Sequence, residues 1–110
     1  MKELTIPNSV TTIEAGAFAY SGLASLTLPG SLTAIGNLAF SASSSLATLT
    51  YLGKTPSDVT TVGKDIFDAC TKLTTLKVPN ALNIDDEKWK TFLGYSFQTV
   101  TKWWFDILHQ

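Results

Sequence analysis

A short apolar pattern returns along the chain with the same flanking residues, and this recurrence constrains the fold more than any other feature. It occurs as Leu-Thr-Ile-Pro at Leu4, as Leu-Thr-Leu-Pro at Leu26 and as Leu-Lys-Val-Pro at Leu76, with Leu-Thr-Tyr at Leu49 between them. The period therefore runs from about 22 to 27 residues. Units of this length stack on one another, and each buries its apolar side only against its neighbours.

Further apolar columns keep the same phase. They consist of Ile13, Ile35 and Val62, of the pairs Ala17-Phe18, Ala39-Phe40 and Ile66-Phe67, and of Leu23, Leu46 and Leu73. We expect the three phenylalanines to stack in the core, because large apolar side chains are usually buried. The stretches 10–13, 32–35 and 59–62 repeat β-branched residues and predict a second, weaker ladder of short extended segments.

The period and the Leu-x-Leu strands are typical of the leucine-rich repeat class. We predict a leucine-rich repeat solenoid, α/β or mainly β, that forms a short right-handed stack of parallel strands. Residues 1–80 contain the repeats, and residues 81–110 form a C-terminal cap and tail. Three acidic residues at 85–87 precede Trp89, Phe92 and Leu93, and Gly94 follows, which predicts a capping helix that covers the open end of the last repeat.

The order of residues in one unit resembles a known family. Residues 4–18 read Leu-x-Ile-Pro-x-Ser-Val-Thr-x-Ile-x-x-x-Ala-Phe, which is similar to the BspA-like repeats of bacterial surface proteins, and the resemblance covers about residues 3–79. It implies a bacterial cell-surface or secreted protein whose repeats bind other proteins in adhesion. The alternative is a structural spacer, the C-terminal fragment of a longer repeat array with no ligand of its own.

Alternation along each strand points every second side chain outward. If a protein partner binds the sheet, we expect it to contact the two outward rows, although a solvated face explains them as well. These rows are Glu3, Ser25, Thr48 and Thr75, and Thr5, Thr27, Thr50 and Lys77. The rival surface is the insertion at residues 53–58 together with Trp103 and Trp104, which either seal the cap or form an exposed patch.

Composition excludes several other functions. Eight Lys+Arg and nine Asp+Glu give a formal net charge of -1, so the chain lacks the basic surface that nucleic acid requires. No apolar run is long enough to span a membrane, and Met1 is not followed by a signal peptide. We also expect self-association, because no segment before Leu4 and Ile6 caps the apolar edge of the first repeat.

The sequence offers no support for catalysis, a metal or a cofactor. Metal-binding and phosphate-binding motifs are absent. A nucleophile–base pair of Cys70 and His109 requires the C-terminus to fold back onto the third repeat. We therefore expect Cys70 to be a buried structural thiol and the chain to be no enzyme.

Overall fold

The computed structural model describes residues 2–102 of the 110-residue chain, which form a solenoid of parallel strands. The main sheet has five strands in the order β1-β3-β5-β7-β8. These strands are β1 (Glu3–Thr5), β3 (Ser25–Leu28), β5 (Thr48–Tyr51), β7 (Thr75–Lys77) and β8 (Thr99–Thr101). All neighbouring pairs are parallel. The leucine-rich repeat solenoid that the sequence predicts is confirmed.

The main sheet keeps the register that the repeat predicts. Leu4 lies opposite Leu26, Leu26 opposite Leu49, and Leu49 opposite Leu76. Side chains at these and every second position point into the core, where all the expected ones are buried except Leu4, which is half-buried at the edge of the sheet. The alternation between faces holds the register, since a slip of one residue would turn every leucine toward solvent.

A second, smaller sheet lies on another side of the solenoid, as the β-branched stretches predict. It has the order β2-β4-β6, with β2 at Thr12–Ile13, β4 at Ala34–Ile35 and β6 at Thr61–Val62. Ile13 and Ile35 are buried, but Val62 is 44% exposed. Val62 is exposed because β6 is the edge strand of this sheet and no strand of the described fourth turn covers it.

A third set of hydrogen bonds, here called the third ladder, joins segments 16–20, 37–42 and 64–69 on the remaining side. The amides of Gly16, Phe18 and Tyr20 donate to carbonyls of the second turn at 2.8–2.9 Å. Those of Leu38 and Phe40 donate to the third turn at 3.0 Å, and that of Ala42 donates at 2.6 Å. This ladder was not predicted from the sequence.

Two columns of left-handed residues bound each segment of the third ladder. The first column has φ values of 66°, 59° and 54° at Gly16, Leu38 and Asp65, and the second has 61°, 57° and 60° at Tyr20, Ala42 and Ala69. Only glycine adopts this region without steric cost. The same conformation thus recurs at equivalent positions of all three turns, whichever residue occupies them.

The aromatic column stacks behind the sheets as the sequence predicts. The ring centroids of Phe18 and Phe40 are 5.2 Å apart, and those of Phe40 and Phe67 are 5.8 Å apart. Phe40 is fully buried and Phe67 nearly so, while Phe18 is half-buried at the end of the column. The column therefore belongs to the core and is no recognition surface.

The fourth turn contains the expected helix, although its geometry and place differ from the prediction. Residues Glu87–Gly94 form a 3₁₀ helix whose backbone leaves helical geometry at Thr91, Phe92 and Leu93. The carboxylate of Asp86 accepts a hydrogen bond from the Lys88 amide at 3.0 Å and caps the first turn. Trp89, Phe92 and Leu93 are buried, as expected.

The helix does not end the stack. The chain continues into β8, which pairs with β7 and forms the last strand of the main sheet. This strand was not predicted from the sequence. The helix therefore lies within the fourth turn, where the rings of Phe92 and Trp89 pack against Tyr51 with centroids 4.6 and 6.0 Å away.

Candidate functional site

The outward side chains of the main sheet, here called the outer face, form two straight rows. Strand register sets both rows, since equivalent residues of successive strands lie directly opposite one another. Neighbouring strands are ~4.8 Å apart, so the side chains of a row repeat at about that distance. The rows are Glu3, Ser25, Thr48, Thr75 and Thr99, and Thr5, Thr27, Thr50, Lys77 and Thr101. The structure thus brings all eight predicted sheet residues together.

The middle of the outer face presents hydroxyl groups that no other described residue engages. Ser25, Thr27, Thr48 and Thr50 are half-buried by their neighbours in the rows, and their hydroxyls make no hydrogen bond within residues 2–102. The hydroxyl of Thr75 differs, because it lies 3.3 Å from that of Thr74. A hydroxyl both donates and accepts, so the middle of the face can bond either polar group of a partner's backbone.

The two rows of the outer face contain only two charged residues. Glu3 lies on the first strand and Lys77 on the fourth, and the residues between them in both rows are uncharged. Glu3 and Thr5 are exposed, whereas Thr101 is buried at the opposite end. This face therefore favours recognition by hydrogen bonding and shape over recognition by charge.

The fifth strand lengthens the outer face beyond what the sequence analysis found. Thr99 lies opposite Thr75 and is exposed, so it adds one more position to the first row. The signal was present, since Thr-Val-Thr at 99–101 alternates like Thr-Leu-Lys at 75–77 and follows it by one repeat length. It was missed because a single valine is a weak apolar marker.

The insertion in the third turn, residues 52–58, is an ordered loop. Both carboxylate oxygens of Asp58 accept hydrogen bonds, one from the Thr55 hydroxyl at 2.6 Å and the other from the amides of Lys54 and Thr55 at 3.3 Å. The Thr55 hydroxyl bond, with the two amides, lowers the pKa of Asp58. The other half of the rival surface, Trp103 and Trp104, lies outside the described residues.

Residues of the fourth turn fix this loop from the other side. The side-chain amide of Asn80 donates to the Leu52 carbonyl at 2.9 Å, and the Leu82 amide donates to the Lys54 carbonyl at 2.9 Å. Hydrogen bonds from the fourth turn thus hold the carbonyls of Leu52 and Lys54 at the start of the loop. The carboxylate of Asp58 at its end binds Lys54 and Thr55. Its irregular path is part of the fold, which makes it a weaker candidate for an adaptable binding loop.

Cys70 has the properties of a structural thiol. It is 3% exposed, and its Sγ donates to the Phe40 carbonyl at 3.2 Å. Burial raises the pKa of the thiol, which favours the unreactive protonated form. His109 lies outside the described residues. Within residues 2–102, no three His, Cys, Asp or Glu side chains converge to hold a metal ion.

The two most exposed large apolar side chains of residues 2–102 were not predicted from the sequence. Tyr20 is 83% exposed and Leu82 is 73% exposed. Tyr20 occupies the position of Ala42 and Ala69 in the next two turns, and this departure from the repeat was an available signal. The two residues stand on different turns, so they do not by themselves define a site.

The repeats of this chain match a known protein family. The model for the BspA type leucine-rich repeat region matches residues 1–102, in six copies. The chain belongs to the BspA-type leucine-rich repeat family. No curated protein and no solved structure matches it significantly.

The BspA-type match covers the whole outer face. It extends through β8, so the strand that the sequence analysis missed lies within the matched repeats. The match assigns the chain to a class of repeat proteins, and proteins of this class expose extended surfaces suited to binding. Among the described residues of this BspA-type chain, no helix has the length and apolarity needed to cross a bilayer.

Proposed function

We propose that this BspA-type repeat chain is a protein-binding module whose outer face contacts the partner. The observation that carries the proposal is the register of five strands, which sets two rows of polar side chains on a rigid sheet. The inward-facing residues that alternate with these rows, such as Leu26, Leu49 and Leu76, are buried in the core. Because the face is already ordered, binding to it costs little conformational entropy on this side of the interface.

The proposal also includes where the protein acts and whether it is a catalyst. The family resemblance supports a bacterial cell-surface or secreted protein that functions in adhesion. We propose a non-catalytic role without a cofactor, which is typical of repeat solenoids. The buried, hydrogen-bonded thiol of Cys70 supports this role. No step of the proposed binding involves nucleic acid.

The test compares two double variants for binding to a panel of purified host and bacterial extracellular proteins. Thr27→Glu with Thr50→Glu places two unpaired carboxylates in the middle of the outer face. Thr12→Glu with Thr61→Glu makes the same change at exposed threonines of the smaller sheet. For every panel protein that binds the unmodified chain, we expect the first variant to weaken binding by about tenfold or more, since unpaired charge opposes association. The second should bind normally.

Thermal unfolding of both variants provides the folding control, and each should melt within a few degrees of the unmodified chain. If Trp103→Ala or Trp104→Ala abolishes binding while the outer-face variant binds normally, the partner uses the rival surface. If no panel protein binds the unmodified chain, the spacer function replaces this proposal.

A further inference from the structure

Within residues 2–102, the third ladder stops at the third turn and leaves a row of backbone donors without acceptors. In the second turn, the amides of Leu38 and Ala42 donate to carbonyls of the third turn. Their equivalents in the third turn are Asp65 and Ala69, which have the same left-handed φ. Together with Phe67, which is equivalent to Phe40, these two amides have no acceptor within residues 2–102. Unpaired donors along the edge of a ladder are a template for another strand.

The fourth turn does not fill this edge because its backbone is committed elsewhere. The Phe97 amide donates to the Lys90 carbonyl at 2.9 Å, and the Tyr95 amide donates to the Phe92 carbonyl at 3.2 Å. The Tyr95 side chain adds a bond from its hydroxyl to the Leu73 carbonyl at 2.6 Å. These contacts hold the fourth-turn segment beside the third ladder instead of in line with it. They leave a cleft of about 600 Å³, here called the terminal cleft, between residues 63–71 and 93–95. Its volume lies within the range of ligand sites, ~300–1,000 Å³.

The terminal cleft differs from the rest of the ladder in charge. Asp65, Asp68 and Lys64 line it and are exposed, so two carboxylates stand against one ammonium group and the lining stays net negative. The equivalent positions are Gly16 and Ala19 in the first turn, and Leu38 and Ser41 in the second. Carboxylates therefore occur on this ladder only at the turn that borders the cleft. A segment that binds beside them gains from positive charge of its own.

We propose that the terminal cleft binds an extended, basic peptide segment of a protein partner by adding it to the third ladder. Alternate carbonyls of the peptide accept hydrogen bonds from the amides of Asp65, Phe67 and Ala69, and its Lys or Arg side chains lie near Asp65 and Asp68. Backbone bonds then supply affinity while the carboxylates select charge, as in other cases of β-strand addition. This site is separate from the outer face, so it stands or falls independently of the proposed function.

Amide hydrogen exchange of the free protein, followed by NMR, tests the first step. The second and third turns supply matched pairs, Leu38 with Asp65 and Ala42 with Ala69, which share a backbone conformation and differ in hydrogen bonding. We expect the amides of Asp65 and Ala69 to exchange at least about tenfold faster than their partners, because only the partners are hydrogen-bonded. Equal protection within both pairs would overturn the proposal.

The second step uses a defined probe, the peptide acetyl-Gly-Lys-Lys-Ile-Phe-Lys-Ala-amide. It has the sequence of residues 63–69, which pair with the second turn in the intact protein, with lysine in place of both aspartates. The control peptide carries glutamate in place of all three lysines. We expect the basic peptide to shift the amide resonances of Asp65, Phe67 and Ala69 and to slow their exchange. The acidic peptide should bind at least about threefold more weakly at low salt.

Variants of the protein separate charge selection from folding. Asp65→Asn with Asp68→Asn should weaken the basic peptide about three- to tenfold at low salt. Glu14→Gln with Asp85→Asn removes the same charge outside the cleft and should leave binding unchanged. Thr27→Glu with Thr50→Glu should also leave it unchanged, which separates this site from the outer face.

Three results would overturn the proposal. The first is equal binding of both peptides, and the second is resonance shifts confined to other surfaces. The third is a shift of the three amides with protein concentration alone, because a second copy of the chain would then be the occupant.

Discussion

The hydroxyl of Tyr51 is the one buried side-chain polar atom of residues 2–102 that lacks a hydrogen-bond partner. Its ring is fully buried and packs against Phe92 and Trp89 of the fourth turn. Burial, with a smaller contribution from the charge of Asp58, raises the pKa of Tyr51 to about 12. The ring thus stabilises the contact between two turns while the hydroxyl opposes it.

We predict that Tyr51→Phe stabilises the protein, and that the gain increases in alkali. The folded-state pKa is raised from 10.0 to about 12, so folding favours the neutral hydroxyl. The stability that this preference for the neutral form contributes is fully present below pH 10. It is lost as the pH rises through 12. At neutral pH, removing the unpaired group should add about 1 kcal/mol. The difference between variant and unmodified protein should grow by about 1.4 kcal/mol at pH 11.

Urea unfolding at pH 8 and pH 11 measures this effect. Tyr20→Phe is the matched control, since Tyr20 is 83% exposed, and it should follow the unmodified protein at both pH values. Parallel pH dependence of Tyr51→Phe and the unmodified protein would show that the hydroxyl is solvated in the folded state.

The aromatic column supplies a second prediction for single residues. Phe40→Ala should lower the free energy of unfolding by about 3–5 kcal/mol, because it leaves a cavity between two stacked rings. Phe18→Ala should cost clearly less, since Phe18 is half-buried at the end of the column. Denaturant melts measure both. A loss under about 1 kcal/mol for Phe40→Ala would contradict its place in the core.

Residue-level predictions from the sequence succeeded where the alternation between faces decides burial. The inward leucines and the outward threonines follow from a period of two along each strand, which a single sequence shows directly. The exposure of Val62 could not be predicted from the sequence, because burial there depends on a neighbouring strand in the fourth turn, and the described residues provide none. Trp103 and Trp104 remain predictions, since they lie outside the described residues.

At the scale of elements, the third ladder depends on a left-handed residue at the start of each segment. Gly16 has φ of 66° with no atom within 4 Å of where a Cβ would stand, so a substitution there meets strain but no clash. We predict that Gly16→Ala costs about 1–2 kcal/mol, the price of the left-handed conformation for an L-residue. Chemical denaturation measures it.

Gly22→Ala is the matched control for this change. Gly22 also has open space around its Cβ position and no left-handed φ. The substitution should be neutral or stabilise by up to about 1 kcal/mol, because alanine restricts the unfolded chain. An equal loss for both variants would show that the backbone strain at Gly16 is not what the first substitution measures.

The elements that the sequence analysis missed have a common physical cause. Leu38, Ala42 and Ala69 adopt left-handed φ without being glycine, so the third ladder has no glycine signature. The helix was expected from its acidic start and its apolar spacing, but neither feature distinguishes a 3₁₀ helix with a break from an α-helix. Both details are decided by packing between turns, which no local window contains.

At the scale of the whole molecule, the end of the solenoid at the first turn has an apolar groove of about 360 Å³. Leu4, Val10 and Phe18 line it, and each is half-buried. Within the described residues, β1 pairs only with β3. Apolar surface beside an unpaired strand edge favours association.

We predict that the isolated chain self-associates through this groove. Sedimentation velocity should show an average mass that rises with protein concentration, and Val10→Asp should reduce that rise. Leu82→Asp is the control, since Leu82 is an exposed apolar residue outside the groove. Monomeric behaviour of the unmodified chain at millimolar concentration would contradict the prediction, as would an equal effect of both variants.

The loop at residues 52–58 shows how the stack tolerates a change of length. It lengthens the third turn between β5 and β6, yet both strands keep their register with β3 and β4. The extra residues are therefore absorbed at one corner, and neither sheet is displaced. One repeat can therefore differ in length from its neighbours at this corner without changing the spacing of the strands, even though hydrogen bonds to the fourth turn fix the path of the loop itself.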